Sequence, residues 1–391
     1  MTMYAEAPPE KKKGGLGWLK GCCIGCACAL VLLIIALIII LNTAFGMRPS
    51  VPAETFLTPK ASMFAVAQLT PDNEDLVKVL QEHIKQQAAQ GKAAGPQAEA
   101  EQVKDNLAQL LPAHAVLILA RNEGEEGEGG VASTVLGGKF KANVAVSANP
   151  TGFGGRIIVA MVRWMLSLTV STCEQEGGSV QTYKEVKIGV KRDKSVVAAV
   201  DNNFMMGDDV ELTKEWIDRI AAQKEAQKKA GKKQQVPAPA YEGPEEMKRM
   251  YGRLDHKAVL NFVCTNTRGE IKSLLGAMEK AEPRGQAYDT IEKAKETATV
   301  LGKTDIGSDS VIVAGGTMRI TGPDTAGFEI LIECKDAQFA QKLAGQFKEA
   351  LEASAKDTGI QDIEATADGA VVKIKYTKPG LQKILQDATQ Q

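Results

Sequence analysis

The sequence predicts an α+β protein in which a single N-terminal transmembrane helix precedes two pseudo-repeated modules of antiparallel sheet with packed helices. Three observations lead to this fold class. Residues 21–41 are uncharged and mostly aliphatic. The rest of the chain alternates short strand-patterned segments with segments that have helical apolar spacing. These segments also follow nearly the same order in the two halves, as expected of two layered α+β units.

Residues 21–41 are long enough to cross a bilayer, because 21 residues of helix extend about 31 Å. Lysines cluster before this stretch, so the positive-inside rule places residues 1–20 in the cytoplasm and the rest outside it, most simply in a bacterial periplasm. A cleavable signal peptide would have a shorter apolar core. A lipoprotein signal would have its apolar region before Cys22, whereas here it follows. We therefore expect an uncleaved signal anchor.

Small residues recur every four positions at the start of this stretch and share one helix face. They are Gly17, Gly21, Gly25 and Ala29. This pattern lets two membrane helices approach closely, so it predicts a helix-packing interface for self-association or for another membrane protein. The alternative is that small residues are simply common in membrane spans.

Seven cysteines divide into an N-terminal cluster and three dispersed residues. Cys22, Cys23, Cys26 and Cys28 would fan around one helix axis, so a single chain could not enclose a metal with them. They are small membrane-helix residues, acylation sites or cross-chain disulfide partners. Cys264 and Cys334 lie in apolar strand-like segments, where pairing across a sheet remains open.

The predicted domain boundaries follow composition. They are a cytoplasmic tail (1–20), a transmembrane helix (21–45), a stalk (46–60), a first α+β module (61–222), a charged and proline-containing linker (223–250) and a second module (251–391). The lysines of the linker could meet anionic headgroups, but a solvated tether is the simpler interpretation.

Within the modules, apolar alternation and turn residues locate the elements. The predicted strands are 62–69, 115–120, 138–148, 183–190, 195–200, 258–265, 310–321, 327–334, 360–367 and 370–376. Helical spacing of apolar residues recurs within 71–111, 157–166, 212–220, 271–278, 339–351 and 381–385. The 157–166 segment is apolar enough that we expect it inside a core. Asp336 is placed to cap a helix, and Asp368-Gly369 predicts a hairpin.

The internal repeat depends on element order and on a few local matches. Strand 62–69 corresponds to 258–265, Lys139-Phe140 to Gly327-Phe328, and 195–197 to 370–372. With residues 194–201 running into the helix at 213–220, this organisation resembles uncharacterised bacterial envelope proteins that carry an N-terminal anchor and duplicated α+β modules. The resemblance implies a location in the envelope and transfers no catalytic residue.

Motifs for enzymatic chemistry are incomplete. Gly302-Lys303-Thr304 lacks the upstream glycine of a phosphate-binding loop, which is Thr297 here. Asp201, Asn203 and Gly207 only begin a calcium loop, because Met205 takes a ligand position. Asp208, Asp209 and Glu211 are placed to favour a helix N-terminus. We expect no catalytic residues, no metal and no cofactor.

The net charge of −1 gives no electrostatic reason to expect nucleic acid. The predicted function is therefore a membrane-anchored binding or assembly module of the cell envelope. Its expected partners are the lipid bilayer and either a second copy or another envelope protein, with sheet edges and the small-residue helix face as contact surfaces. The alternatives are a ligand-binding ectodomain with a cleft between the two modules and, less favoured, an envelope hydrolase without a recognisable motif.

Overall fold

A twelve-stranded antiparallel sheet organises the computed structural model, which describes residues 51–69, 113–122, 139–150, 153–230, 236–280, 299, 301–322 and 324–380. The chain divides into two units, Met1–Met47 and Arg48–Gln391, and all described residues belong to the second. The predicted tail, transmembrane helix and cysteine cluster lie outside the described residues, as do the helices predicted within 71–111 and 381–385. In the described part of the chain, no helix is both long and apolar enough to cross a membrane.

The α+β class is confirmed, with five α-helices in the described part. The strands are β1 Ala61–Leu69, β2 Ala113–Arg121, β3 Phe140–Ala148, β4 Ser179–Tyr183, β5 Val186–Val190, β6 Val196–Val200, β7 Asn203–Gly207, β8 Leu260–Thr265, β9 Val311–Gly322, β10 Thr325–Cys334, β11 Gln361–Asp368 and β12 Val371–Pro379. The helices are α1 Phe153–Thr172, α2 Val210–Ala230, α3 Glu245–Tyr251, α4 Glu270–Lys280 and α5 Ala337–Thr358. Two short 3₁₀ helices are η1 Ala53–Phe56 and η2 Asp305–Gly307.

The strand order is β11-β12-β10-β9-β8-β1-β2-β3-β7-β6-β5-β4. At the centre, β1 pairs antiparallel with β8, with Phe64 opposite Val263. Strands from the two predicted modules therefore belong to one continuous sheet. Outward from this central pair the order is β1-β2-β3-β7-β6 on one side and β8-β9-β10-β12-β11 on the other, with the β4–β5 hairpin beyond β6.

Successive side chains of each strand point to opposite faces of the sheet, so the strands contribute residues to cores on both faces. On β7, Met205 belongs to the main core with Trp216 of α2, while the adjacent Phe204 packs against Val159 of α1. The main core also contains η1, α2 and α3, whereas α5 covers the other half of the sheet with Leu343 and Phe347. Helices α1 and α2 thus lie on opposite faces of the part of the sheet that contains β7.

The segment predicted as a stalk differs in the structure, because most of its described residues, 51–58, are buried in the core. Phe56 and Leu57 are both fully buried, and the Trp216 indole N–H donates a 2.8 Å hydrogen bond to the Phe56 carbonyl. The last part of the predicted linker is also buried, through Met247 and Met250 of α3. Isolated apolar residues in proline-containing stretches have no period, so the sequence pattern gave no signal of their burial.

Two local predictions hold. The Asp336 carboxylate caps α5 by accepting a 2.7 Å hydrogen bond from the Phe339 backbone N–H. Gly369 has a φ of 56° in the turn between β11 and β12, as the predicted hairpin requires.

The strand predicted at 183–190 is instead the end of β4, a turn and β5. Lys184 and Glu185 form the turn with φ values of 46° and 67°, which non-glycine residues rarely adopt. Strand β7 was not predicted either. The partial calcium-loop pattern covers this region: Asp201 lies in the turn after β6, and Asn203 and Gly207 are the two ends of β7. Neither turn carries the Asn-Gly or Asp-Gly signal on which hairpin prediction depends.

Candidate binding surface on helix α1 and the adjacent cleft

Helix α1 presents a row of large apolar side chains to solvent. Met161, Trp164, Met165 and Leu168 are 55%, 64%, 51% and 45% exposed. Their spacing of three, four and seven residues places them on one face, which we call the α1 apolar surface. In the described part of the chain, Met206 on β7 is the only other large hydrophobic residue as exposed as these.

The opposite face of α1 is apolar too, which explains how the helix is held on the sheet. Val159 and Val170 are buried there, and Val159 packs with Phe204 and Ala148. The sequence predicted core burial for this whole segment, but the structure buries only one side. The reason is that the sheet offers a single layer of side chains and no described element covers the outer face of α1.

Polar groups of α1 leave the apolar surface uninterrupted. The hydroxyls of Thr169 and Ser171 donate to the carbonyls four residues earlier, Met165 and Ser167, at 3.1 and 2.8 Å. Such bonds satisfy hydroxyls within the helix itself. The two charged residues of the helix, Arg156 and Arg163, are partly buried and lie off the exposed face.

A cleft of about 600 Å³ opens where β5 begins and β6 ends, and it is lined by residues of α1 from one face of the sheet, of α2 from the other face and of the turns that follow β4 and β6. We call it the α1–α2 cleft. Its floor is apolar and includes Leu166, Val186 and Val200, with the buried Ile217 and Ile220 beneath them. Its rim carries four cations, Arg163, Lys184, Lys187 and Lys224, and two carboxylates, Glu185 and Asp201. The cleft lies within the first predicted module, whereas the ligand-binding alternative placed one between the two modules.

Fixed interactions hold part of this rim. The Lys184 ammonium lies 2.8 Å from the Asp218 carboxylate, which also accepts a 2.9 Å hydrogen bond from the Tyr183 hydroxyl. The Lys184 ammonium holds the pKa of the Asp218 carboxyl below its usual range, and the same hydrogen bond raises the pKa of Lys184. Lys224 is paired with Asp201. Among the described residues, Lys187 has no carboxylate within ion-pair distance.

Cys264 and Cys334 are held as buried, protonated thiols. Cys264 and Cys334 are free thiols, so the open question of their pairing is answered: they form no disulfide. Burial raises the pKa of Cys264 to about 12 and that of Cys334 to about 11, far from the thiolate that attacks substrates. The described residues contain no group of three or more His, Cys, Asp or Glu side chains that could hold a metal ion.

The acidic residues before α2 have the structural role that their position predicted. The Asp209 carboxylate accepts hydrogen bonds from the backbone N–H groups of Glu211 and Leu212, at 2.9 and 3.2 Å. The Asn143 side-chain oxygen accepts from the backbone N–H groups of Asp208 and Asp209. This network caps α2 and ties it to β3.

The predicted helix-packing residues Gly17, Gly21, Gly25 and Ala29 lie outside the described residues. Sequence inspection missed the α1 apolar surface because α1 is apolar on two faces and was taken as a buried helix. One signal was available: Trp164, Met165 and Leu168 share a face opposite Val159, Leu166 and Val170.

No protein-family model matches this chain, and no curated protein matches it. Among solved structures, crystal form I of TP0453 aligns with 87% of this chain and 98% of its own, at a TM-score of 0.38 and 5% identity. At that score the likeness supports no inference about function.

Proposed function

We propose that this chain is a single-pass, membrane-anchored extracytoplasmic protein whose domain is a binding and assembly module that docks on the bilayer surface through the α1 apolar surface. The observation that carries the proposal is the row formed by Met161, Trp164, Met165 and Leu168, each about half exposed. Contiguous exposed apolar patches mark binding surfaces on soluble domains.

The free energy gained by burying the α1 apolar surface is large enough to support docking of a tethered domain. Burying one large apolar side chain fully contributes about 1.5–3 kcal/mol. Four half-exposed side chains therefore hold roughly 3–6 kcal/mol, which by itself corresponds to an affinity in the millimolar range or somewhat tighter. A tethered domain needs no more than this, because the tether keeps its local concentration at the surface high.

Three features favour the bilayer over a second protein as the occupant. Residues 42–50 are the link between the apolar stretch and Val51, and nine extended residues reach at most about 32 Å. Trp164 is the most exposed side chain of the row, and indole is enriched at membrane interfaces. Arg163 of α1 and Lys187 of the adjoining cleft lie beside the row, where cations flank an interfacial helix.

The ectodomain is also proposed to have arisen by duplication. The two series β1-β2-β3-β7-β6 and β8-β9-β10-β12-β11 match in sheet order, with α1 and α5 following β3 and β10. In this alignment β6 corresponds to β11 and β7 to β12. It therefore differs from the match expected from the sequence, which paired 195–197 at β6 with 370–372 at β12. The β4–β5 hairpin is then an insertion specific to the first half, and it contributes to the α1–α2 cleft.

The docking proposal is tested with residues 48–391, which form one compact unit that contains all the described core clusters. The assay is co-sedimentation with phosphatidylcholine vesicles, a zwitterionic surface that isolates the apolar contribution. The double variant Trp164→Gln/Leu168→Gln should bind at least about tenfold more weakly, because it loses about half of the 3–6 kcal/mol.

Lys228→Gln is the control, since it introduces the same side chain at an exposed position on α2, which lies on the opposite face of the sheet. Circular dichroism checks that both variants remain folded. Equal vesicle binding by wild type and the double variant would overturn the proposal. So would a stable dimer of residues 48–391 that the double variant dissociates, because the occupant would then be a second copy.

A further inference from the structure

The α1–α2 cleft has the composition of a ligand site distinct from the α1 apolar surface. Its volume of about 600 Å³ lies in the range of small-molecule sites. Ile217 and Ile220, beneath its floor, belong to the main core, and its accessible apolar surface comes from the partly exposed Leu166, Val186 and Val200. An apolar floor under a charged rim is suited to a molecule with one apolar and one charged end.

The charge of the rim favours an anion. Four cations and two carboxylates line the cleft, and the Asp218 carboxylate outside the lining pairs with Lys184, which leaves a surplus of one positive charge. One carboxylate, Asp201, is occupied by Lys224, and Lys184 is oriented by Asp218 from outside the lining. Lys187, which has no ion pair among the described residues, can therefore give its full charge to a ligand.

Backbone strain is concentrated at the same rim. Five non-glycine residues in the described part of the chain have positive φ, and three of them, Lys184, Glu185 and Asp201, line the cleft. Each such conformation costs of the order of 1 kcal/mol or more and persists where surrounding structure holds it. The β4–β5 turn thus fixes Lys184 and Glu185 on the rim, and the turn after β6 fixes Asp201, which pairs with Lys224.

The cleft also adjoins the α1 apolar surface. Arg163, Ser167 and Ser171 line the cleft from α1, and one helical turn separates Ser167 and Ser171 from Trp164 and Leu168 on the exposed face. A molecule whose charged group enters the cleft can therefore extend its apolar part towards the exposed row.

We propose that the α1–α2 cleft is a binding site for an anionic phosphate ester, with Lys187 and Arg163 on the phosphate and the partly exposed side chains of Leu166, Val186 and Val200 against the apolar portion. The same chemistry is present in the headgroup of an anionic phospholipid and in a water-soluble phosphate ester. The lipid assignment rests on the proposed docking function, whereas the anion site itself does not.

The test is native mass spectrometry of the full-length chain in a non-ionic detergent, titrated separately with phosphatidylglycerol, phosphatidylcholine and glycerol phosphate. Lys187→Glu should lower the affinity for phosphatidylglycerol about tenfold. Lys228→Glu is the matched control, because Lys228 is an exposed lysine one turn beyond Lys224 that does not line the cleft. Both positions are on the surface, so neither change threatens the fold.

Phosphatidylglycerol binding well above that of phosphatidylcholine and of glycerol phosphate assigns the site to the lipid. Equal binding of phosphatidylglycerol and glycerol phosphate, still sensitive to Lys187→Glu, assigns it to a soluble phosphate ester. Affinity for phosphatidylglycerol that is unchanged by Lys187→Glu, or equal to that for phosphatidylcholine, overturns the site. A Trp164→Gln/Leu168→Gln chain that keeps Lys187-dependent binding but loses vesicle docking separates this site from the proposed function.

Discussion

Phe56→Ala tests whether residues 51–58 belong to the folded domain. Phe56 is fully buried, and its ring meets the Trp216 ring edge-on with centroids 5.6 Å apart. Two further hydrogen bonds hold the segment to α2: the Thr58 hydroxyl donates to Glu215, and the Arg219 guanidinium donates to the Leu57 carbonyl, both at 2.8 Å. A stalk would have none of these contacts.

Truncating a fully buried phenylalanine costs about 3–5 kcal/mol through lost burial and the cavity left behind. At a denaturant dependence of about 3 kcal/mol per molar, the urea midpoint of the full-length chain in detergent should fall by about 1–1.7 M. Lys60→Ala is the control in the same segment, because that side chain is 63% exposed. It should move the midpoint little. Equal midpoints for Phe56→Ala and wild type would refute the placement of this segment in the core.

Three further predictions concern single groups. Burial lowers the pKa of the His114 imidazole from 6.5 to about 4, against the opposing effect of a hydrogen bond that the imidazole donates to the Val51 backbone, so the unfolded chain takes up the proton first. Stability should be full above pH 6.5 and fall by roughly 3 kcal/mol towards pH 4, and His114→Gln should flatten that part of a plot of urea midpoint against pH. Cys264 and Cys334 should resist maleimide in the native protein and react after unfolding, which peptide mapping by mass spectrometry measures; rapid native labelling would contradict their burial. Glu185→Gly should raise the unfolding midpoint by an amount equivalent to as much as about 1 kcal/mol, because glycine adopts the φ of 67° without strain; a lower midpoint would contradict the turn geometry.

Much of the sheet was predictable because its strands follow local alternation and the turn between β11 and β12 carries a local Asp-Gly signal. Strands β1, β2 and β3 and the β11–β12 hairpin were placed within a few residues. The Asp336 cap was predictable for the same reason, since a cap depends on neighbours in sequence.

The missed features depend on contacts distant in sequence. Phe56 and Met247 become core residues only because α2 and the sheet are already assembled around them. The β4–β5 turn uses Lys184 and Glu185, whose types do not indicate positive φ. For α1, composition alone could not tell which of two apolar faces the sheet would cover, and so the exposed row around Trp164 was not foreseen.

The proposed docking of α1 against the bilayer is tested most directly by the quenching of Trp164 fluorescence by brominated lipids. The chain has three tryptophans, and Trp18→Phe leaves Trp164, 64% exposed, and Trp216, fully buried, as an internal reference. In vesicles of lipid brominated along the acyl chain, the full-length protein should lose the Trp164 part of its emission and keep that of Trp216. Adding Trp164→Phe should abolish the quenching. Emission from Trp164 that is insensitive to brominated lipid would contradict the docking of α1 on the membrane.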